Sequence, residues 1–181
     1  MEKRYEVCLA GAGGQGMIFA GRILAEAAFY EGKNVAQTQS YGAEARGGAS
    51  RSEVVISEGE IDYPKVVRAD LLLAMTQEAY ERYSPELKAE GILIVDSVNV
   101  RGVTIEGAYS LPITEIAEEA TGQRITANMV GLGLVVGLSG AVSEEAIEAA
   151  LRSLAPEGTR EADLKALKAG LQIAERLKNR G

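Results

Sequence analysis

The fold is decided by the stretch Tyr5-Glu6-Val7-Cys8-Leu9-Ala10-Gly11-Ala12-Gly13-Gly14-Gln15-Gly16, near the start of a chain of 181 residues. Residues 5–10 have the apolar character of a short buried strand, and glycine dominates the residues that follow. From Gln15 onward apolar side chains, among them Met17 and Leu24, recur at the spacing of a helix. A strand, a glycine turn and a helix in this order are typical of the opening of a βα unit.

The rest of the chain continues this alternation before it becomes helical. The pattern predicts further strands at residues 34–39, 52–57, 71–75 and 92–95. It predicts helices at residues 77–83, 113–120, 126–138, 143–151 and 161–178. We therefore expect one α/β domain over residues 1–181, with a doubly wound, mostly parallel sheet, helices on both faces and a helical C-terminal part.

Composition excludes several classes of protein. The chain has no histidine, no tryptophan and a single cysteine, Cys8. A Ser-His-Asp hydrolase, a histidine-ligated zinc enzyme and a protein with its own iron–sulfur cluster all need residues that this chain lacks. We expect no metal site and no catalytic residue of these kinds in this chain.

Charge and hydropathy bear on partners and location. The 26 acidic and 19 basic residues give a net charge of −7, the wrong sign for a general binder of nucleic acid or anionic membranes. The longest weakly polar run, residues 127–138, is shorter than the roughly 18 residues that a membrane span needs. Residues 1–12 resemble a signal peptide only faintly, because Glu2, Glu6 and the glycines interrupt it. We therefore expect a cytoplasmic protein without nucleic-acid or membrane partners.

The glycine turn has two interpretations. Gly11-Ala12-Gly13-Gly14-Gln15-Gly16 fits the G-x-G-x-x-G pattern, in which free N–H groups at a helix start face an anionic ligand such as a phosphate. In that pattern Gly11 permits the tight turn, Gly13 lets a ligand approach and Gly16 lets the helix pack on the strand. The alternative is a turn that only permits close packing. An NAD site also needs an acidic residue about 20 positions on, where residues 37–40 are Gln-Thr-Gln-Ser.

A second glycine-containing loop carries arginines and hydroxyls. Its sequence is Arg46-Gly47-Gly48-Ala49-Ser50-Arg51-Ser52, and arginine forks with exposed N–H groups recognise phosphate or carboxylate. The alternative is a loop whose charges are balanced by Glu44 and Glu53. As the second βα connection of a doubly wound sheet, this loop is expected to lie beside the first and to share one crevice with it.

Other polar residues have simpler interpretations. Asp70 and Asp96 flank predicted strands, where turn or capping roles are more common than acid/base chemistry. Cys8 lies within an apolar strand and is expected to be a small core residue. Asn128, in an apolar helix, is either a buried polar contact or part of an interface.

These segments together resemble a known family, the gamma subunits of 2-oxoacid:ferredoxin oxidoreductases. The resemblance is carried by Gly11 to Gly16, by Gln39-Ser40-Tyr41-Gly42-Ala43-Glu44-Ala45-Arg46-Gly47-Gly48, by Ser52-Glu53-Val54-Val55-Ile56-Ser57, by Ile61-Asp62-Tyr63-Pro64 and by Asn128-Met129-Val130-Gly131. It covers essentially the whole chain in order. Within the family the pattern is most similar to the 2-oxoglutarate type.

The resemblance implies a function. Such enzymes decarboxylate a 2-oxoacid on thiamine diphosphate, pass electrons through iron–sulfur clusters to ferredoxin and release an acyl-coenzyme A. The family places thiamine diphosphate and the clusters on alpha, beta and ferredoxin-like delta subunits, so this chain would bind no cofactor alone, meet ferredoxin only indirectly and help to position coenzyme A. The residues implied are Gly11, Gly13, Gly14, Gln15, Gly16, Arg46, Gly47, Gly48 and Ser50.

Two alternatives of other classes stay open at this point. The first is a free-standing NAD(P)-dependent oxidoreductase, suggested by the G-x-G-x-x-G pattern. The second is an interaction module without a ligand, suggested by the apolar helix at residues 126–138, whose glycines would let another backbone approach closely.

Overall fold

The computed structural model of the protein describes residues 4–41 and 48–180. Within them the chain forms six strands: β1 (Arg4–Ala12), β2 (Asn34–Tyr41), β3 (Ala49–Ser57), β4 (Ala69–Ala74), β5 (Leu87–Asp96) and β6 (Tyr109–Leu111). The same residues form six α-helices: α1 (Met17–Tyr30), α2 (Gln77–Tyr83), α3 (Ile113–Thr121), α4 (Ala127–Ser139), α5 (Glu144–Leu154) and α6 (Glu157–Lys178). Two short 3₁₀ helices, Ser84–Glu86 and Arg124–Thr126, precede β5 and α4.

The six strands form one mixed sheet in the order β2-β3-β1-β4-β5-β6. Strands β1, β4, β5 and β6 pair in parallel, whereas β3 is antiparallel to both of its neighbours, β1 and β2. The predicted α/β architecture with a mostly parallel sheet is confirmed. The position of β3 differs from simple βαβ alternation.

The short link between β2 and β3 explains this difference. Only residues 42–48 separate Tyr41 from Ala49, whereas a parallel crossover needs about a dozen residues or more. The two strands therefore pair antiparallel, with Tyr41 opposite Ser50 and Asn34 opposite Ser57. The expectation that this loop is a second βα connection is thus wrong, because it joins two strands.

The two faces of the sheet are covered unequally. One face, which carries Val7 and Leu9 of β1, packs in a single core with α1, α3, α4, α5 and α6. The other face, which carries Cys8 and Ala10, packs against α2 and against residues such as Val100 in the connecting segments. Helices on both faces are confirmed, although the second face has just one short helix in the described part of the chain.

The helical C-terminal part is built around α4. Ten consecutive residues of this helix, from Ala127 to Val136, are buried, because β4 and β5 lie on one side of it and α6 on another. At the crossing with α6, a Cβ on Gly133 would overlap the carbonyl oxygen of Leu167, and one on Gly170 would overlap that of Val130. The glycines of α4 therefore admit α6 of the same chain.

Candidate functional site

The glycine turn joins the end of β1 to the start of α1. The backbone N–H of Ala12 donates to Oε1 of Gln15 over 2.7 Å, and the N–H of Gln15 donates to the carbonyl oxygen of Ala12 over 3.2 Å. The Gln15 side-chain oxygen thus closes the turn from inside. Gly14 and Gly16 have positive φ values of 85° and 76°, a conformation that favours glycine.

The fold requires glycine at some positions of the turn and not at others, and the physical reason differs between them. A Cβ on Gly11 would overlap the Gln15 side chain, and one on Gly16 would overlap the Asn128 amide of α4. The missing side chain at Gly16 therefore lets α4 approach the turn, whereas the sequence pattern suggested that it lets α1 pack on the strand. Gly13 has no atom within 4 Å of an added Cβ and no positive φ. Folding of the described chain does not require glycine at position 13.

The turn presents free backbone donors to solvent. Gly13 and Gly14 are exposed, and their N–H groups have no partner among residues 4–41 and 48–180. Both precede α1, whose N-terminal dipole end adds to their attraction for an anion.

The described end of the second loop lies beside this turn. Arg46 and Gly47 lie outside the described residues. Gly48 is half-buried, and Ser50, opposite Gly11 in the β1–β3 register, is buried. The Ser50 hydroxyl lies 3.4 Å from the carbonyl oxygens of both Gly11 and Ala12, so it donates within the protein. The described residues of the second loop therefore lie beside the glycine turn, as expected.

An apolar groove of about 480 Å³ lies on one side of the glycine turn. Its lining includes Gly13, Met17, Ile18, Phe19, Arg22 and Tyr41. Tyr41 is 68% exposed at the end of β2. The groove offers chiefly hydrocarbon and aromatic surface to whatever covers it.

A second cavity, of about 230 Å³, also lies beside the turn, and we call it the polar crevice after the polar side chains among its lining. Its lining includes Gly14, Gln15, Met75, Asn99, Thr114 and Arg124. Asn99, Thr114 and Arg124 were not predicted as site residues, because they come from three separate segments with no shared motif. Their positions could have indicated them: Asn99 follows a predicted strand, Thr114 lies in the first turn of a predicted helix, and Arg124 precedes the next predicted helix.

The polar crevice lies where the connections of the sheet diverge. Helix α1 leaves β1 on one face, and α2 leaves the neighbouring strand β4 on the other. Ligands of open α/β sheets bind in the gap that such a divergence leaves outside the carboxyl ends of the strands. The crevice is therefore the best placed of the cavities for a small ligand.

Asp96 shapes this crevice without facing it as a free acid. This carboxylate, fully buried at the end of β5, accepts from the N–H of Val98 and from Nδ2 of Asn99, each over 3.1 Å. It also accepts from the hydroxyl and the N–H of Thr114 at the start of α3. Asp70 likewise accepts from the N–H of Glu6 over 2.8 Å and from Lys88 over 2.7 Å. Asp96 therefore has the turn and capping role that was expected, whereas Asp70 lies within β4 and binds residues of the neighbouring strands β1 and β5 instead.

The sequence allowed two interpretations of Asn128, a buried polar contact or part of an interface. In the structure it makes a buried polar contact. Its Nδ2 donates to the carbonyl oxygen of Gly16 over 3.3 Å, and its Oδ1 accepts from the N–H of Met129 over 2.9 Å. This amide therefore ties α4 to the glycine turn.

Cys8 is a core residue, and its thiol is expected to be unreactive in the folded protein. Burial raises the pKa of Cys8 to about 12, although the nearby Arg51 guanidinium lowers it in part. At pH 8 roughly one thiol in ten thousand is then ionised. Titration with a thiol-reactive chromogen at pH 8 should show no labelling over minutes in buffer and one thiol per chain in denaturant. Rapid labelling of the native protein would contradict the buried position.

The described residues contain no group of three or more acidic, cysteine or histidine side chains able to hold a metal ion. Over the same ranges, no helix has both the length and the apolar character of a membrane span.

The chain is similar to known proteins over nearly its whole length. Residues 6–173 match the family model described as pyruvate ferredoxin/flavodoxin oxidoreductase. The chain is 43% identical over 182 residues to the 2-oxoglutarate synthase subunit KorC of Methanocaldococcus jannaschii, with 98% of this chain and 97% of that protein covered.

Two solved structures are also similar. The keto/oxoacid ferredoxin oxidoreductase gamma subunit from Geobacter sulfurreducens matches with a TM-score of 0.86 and 47% identity, over 96% of this chain and 98% of that one. The 2-oxoglutarate:ferredoxin oxidoreductase from Magnetococcus marinus, with 2-oxoglutarate, coenzyme A and succinyl-CoA bound, matches with a TM-score of 0.85 and 26% identity. That match covers 97% of this chain and 32% of the longer chain.

Proposed function

Since this chain belongs to the pyruvate ferredoxin/flavodoxin oxidoreductase family, we propose that it is the gamma subunit of a 2-oxoglutarate:ferredoxin oxidoreductase. The observation that carries the proposal is the end-to-end match to a 2-oxoglutarate synthase subunit, with 97% of that relative covered. The complex would convert 2-oxoglutarate, coenzyme A and oxidised ferredoxin into succinyl-coenzyme A, carbon dioxide and reduced ferredoxin. Residues 1–181 would act as a single domain within it.

In this proposal the chain contributes positioning rather than acid/base or redox chemistry. It has no histidine and one cysteine, and that thiol is buried with a raised pKa. Its donor set does not fit an iron–sulfur cluster, which needs several cysteines. Thiamine diphosphate and the clusters would therefore be held by alpha, beta and ferredoxin-like delta subunits. Orienting a reactant can lower a barrier by several kcal/mol without any proton transfer.

The substrate that this chain is suited to hold is coenzyme A, which carries phosphates. The exposed N–H groups of Gly13 and Gly14 at the start of α1 support this. We propose that the residues in contact with coenzyme A are Gly11, Gly13, Gly14, Gln15, Gly16, Arg46, Gly47, Gly48 and Ser50. Within it, the backbone N–H groups of Gly13, Gly14 and Gly16 have no partner among the described residues, whereas Gln15 and Ser50 support the turn from inside.

The test is to substitute Gly13 by alanine in the assembled complex. An added Cβ at Gly13 meets nothing in the described chain, so stability should change by less than about 0.5 kcal/mol. It would, however, hold a phosphate away from the N–H groups, and the KM for coenzyme A should rise roughly tenfold. Arg46→Ala should raise the same KM by a similar factor. The KM for 2-oxoglutarate should stay unchanged in both variants.

Gly158→Ala is the matched control, because its added Cβ also meets no atom within 4 Å and it lies in the first turn of α6. An unchanged KM for coenzyme A in Gly13→Ala and Arg46→Ala, with the complex intact, would leave both loops a structural role only. Loss of assembly instead of a change in KM would assign them to a subunit contact.

The geometry weakens both alternatives. In a dinucleotide-binding fold the second strand lies beside the first, whereas here β3 separates β2 from β1. Side chains in the middle of β2 are also engaged within the protein, since Gln37 donates to Ile18 and Ser52, and Thr38 donates to Glu53. The glycines of α4 suggested an interaction module without a ligand, but they face α6 and Leu73 of the same chain and so do not support that alternative.

A further inference from the structure

Strand β2 forms one edge of the sheet and lacks the features that usually protect such an edge. No further strand of the described residues lies beyond it, so its outward N–H and C=O groups have no ladder partner there. The strand at the opposite edge, β6, has three residues, and short edge strands resist pairing with other chains. β2 has eight residues without a charged side chain, proline, glycine or bulge. It is therefore open to pairing with another strand.

The helix beside β2 is accessible along the same side. The larger accessible side chains of α1 are Ile18, Phe19, Arg22, Glu26, Phe29 and Tyr30. The apolar groove and a further depression of about 350 Å³ both lie between α1 and β2, and Arg22 lines both. Of the six large apolar side chains that are exposed in the described ranges, Phe29, Tyr30 and Tyr41 belong to α1 or β2. We call β2 and the accessible side of α1 the edge face, and exposed apolar surface of this kind marks an interaction site.

The accessible side of α1 is complementary to itself. Phe19 and Phe29 lie at equal distances along the sequence on either side of position 24, and so do Arg22 and Glu26. A twofold axis near this position would bring each Phe19 to the Phe29 of a second copy. It would likewise bring each Arg22 to the Glu26 of the second copy, so that both ion pairs join opposite charges. The same surface therefore fits itself in apolar contacts and in charge.

Both charges of this pair are available to a second molecule. Among residues 4–41 and 48–180, neither Arg22 nor Glu26 makes an ion pair. The two are four residues apart on one helix with the arginine first, which is the weaker orientation for a pair within a helix. Both line the 350 Å³ depression, together with Val35 and Gln37 of β2. An opposite charge that approaches the edge face can therefore reach each of them.

The alignment of β2 with α1 agrees with the same axis. Nε2 of Gln37 donates to the carbonyl oxygen of Ile18, near the start of α1, whereas Val35 lies beside Phe29, near its end. Ala36 is therefore level with the middle of the helix. An axis perpendicular to the sheet at this level places Ala36 of two copies opposite each other in antiparallel strands, with both α1 helices on one face.

We propose that the edge face joins two copies of this chain, with β2 paired antiparallel to β2 of the second copy about an axis at Ala36 and α1 packed against α1. A second copy is the occupant because Arg22 and Glu26 complement each other under this symmetry, and because the uncharged β2 meets itself without repulsion. This pairing goes beyond the proposed function, since it requires neither coenzyme A nor a partner subunit.

Reversal of either charge tests the ion pairs. Sedimentation velocity of the full wild-type chain at high micromolar concentration should give twice the mass of one chain. Arg22→Glu alone and Glu26→Arg alone place like charges opposite each other and should sediment as single chains. An equimolar mixture of these two variants should recover the double mass, because each supplies the charge that the other lacks. Glu175→Arg, the matched reversal at an exposed position of α6, should remain a dimer.

A cysteine at position 36 tests the axis. The native thiol of Cys8 is buried, so disulfides report on the introduced thiol. Residues opposite each other in antiparallel strands have Cα atoms about 4.5–5.5 Å apart, within the reach of a disulfide. Under mild oxidation Ala36→Cys should give a covalent dimer of this chain, both alone and in the assembled complex. Ile125→Cys, at a position that is 72% exposed outside the edge face, should give none.

Three results overturn the proposal. The first is a single-chain mass for the wild type together with no cross-link between two copies of Ala36→Cys in the assembled complex. The second is a cross-link from Ala36→Cys to a different subunit, which would show that another partner covers the edge face. The third is an undiminished dimer in both charge-reversal variants. Each result leaves the KM of the Gly13→Ala complex for coenzyme A as a separate test, so the proposed function stands or fails independently.

Discussion

Substituting Arg51 by methionine is expected to destabilise the protein by about 3–5 kcal/mol. The Arg51 guanidinium donates to Glu53 and to Glu86 and lies 4.8 Å from the centre of the Tyr83 ring. The side chains of Arg51 and Glu53 are 13% and 5% exposed. Methionine fills much of the volume but leaves the Glu53 carboxylate buried without its counter-charge, and an uncompensated buried charge is costly.

Chemical denaturation of wild type and variant, by circular dichroism in urea at pH 7, measures this loss. Arg51→Met combined with Glu53→Gln removes both charges and should recover most of the lost stability. Glu86→Gln is the matched control, because Glu86 is 44% exposed and water can replace its contact, so its effect should stay below about 1 kcal/mol. Equal losses in Arg51→Met and in the double variant would show that packing, rather than charge, holds β3 to the end of α2.

Replacing Gly170 by alanine should lower the free energy of unfolding by about 3 kcal/mol, although alanine favours helix formation elsewhere. The added Cβ would overlap the carbonyl oxygen of Val130 and lie 3.0 Å from Cα of Gly133. These are backbone atoms, so no side-chain rotation relieves the overlap and α4 and α6 must separate. Separation would open the core between the two helices.

The matched control lies in the same helix. Gly158→Ala adds a Cβ that meets no atom within 4 Å, so it should stabilise the protein by up to about 1 kcal/mol through helix propensity and reduced freedom of the unfolded chain. Thermal unfolding of both variants should thus give shifts of opposite sign. A Gly170→Ala protein that melts at or above the wild-type temperature would refute the close crossing of α4 and α6.

Local sequence patterns predicted much of the fold. The strand before Gly11, the glycine turn and the start of α1 follow from hydrophobic spacing and glycine content, and Thr76 caps α2 as its hydroxyl and position suggest, by accepting from the N–H of Ala79. The antiparallel placement of β3 was not predicted. It depends on the short link after Tyr41, and the hydrophobic pattern of a strand does not indicate its direction in the sheet.

The candidate site was likewise predicted only in part. The glycine turn was recognised because its residues are contiguous and its conformation depends on glycine. Asn99 and Arg124 were missed because separate segments bring them beside Gly14, and neither has a local signal. Likewise the hydrophobic pattern indicated that α4 is buried but not what buries it.

The sequence by itself determined that this protein has an α/β fold, carries a glycine turn at the end of its first strand and lacks histidine and all but one cysteine. These properties are local or compositional, so neighbouring residues suffice to decide them. Tertiary structure alone decided that β3 inserts between β1 and β2, that α6 covers the glycines of α4 and that Arg124 faces the turn across a crevice. Those arrangements depend on contacts between distant residues, and they form only when burial of one shared core brings these segments together.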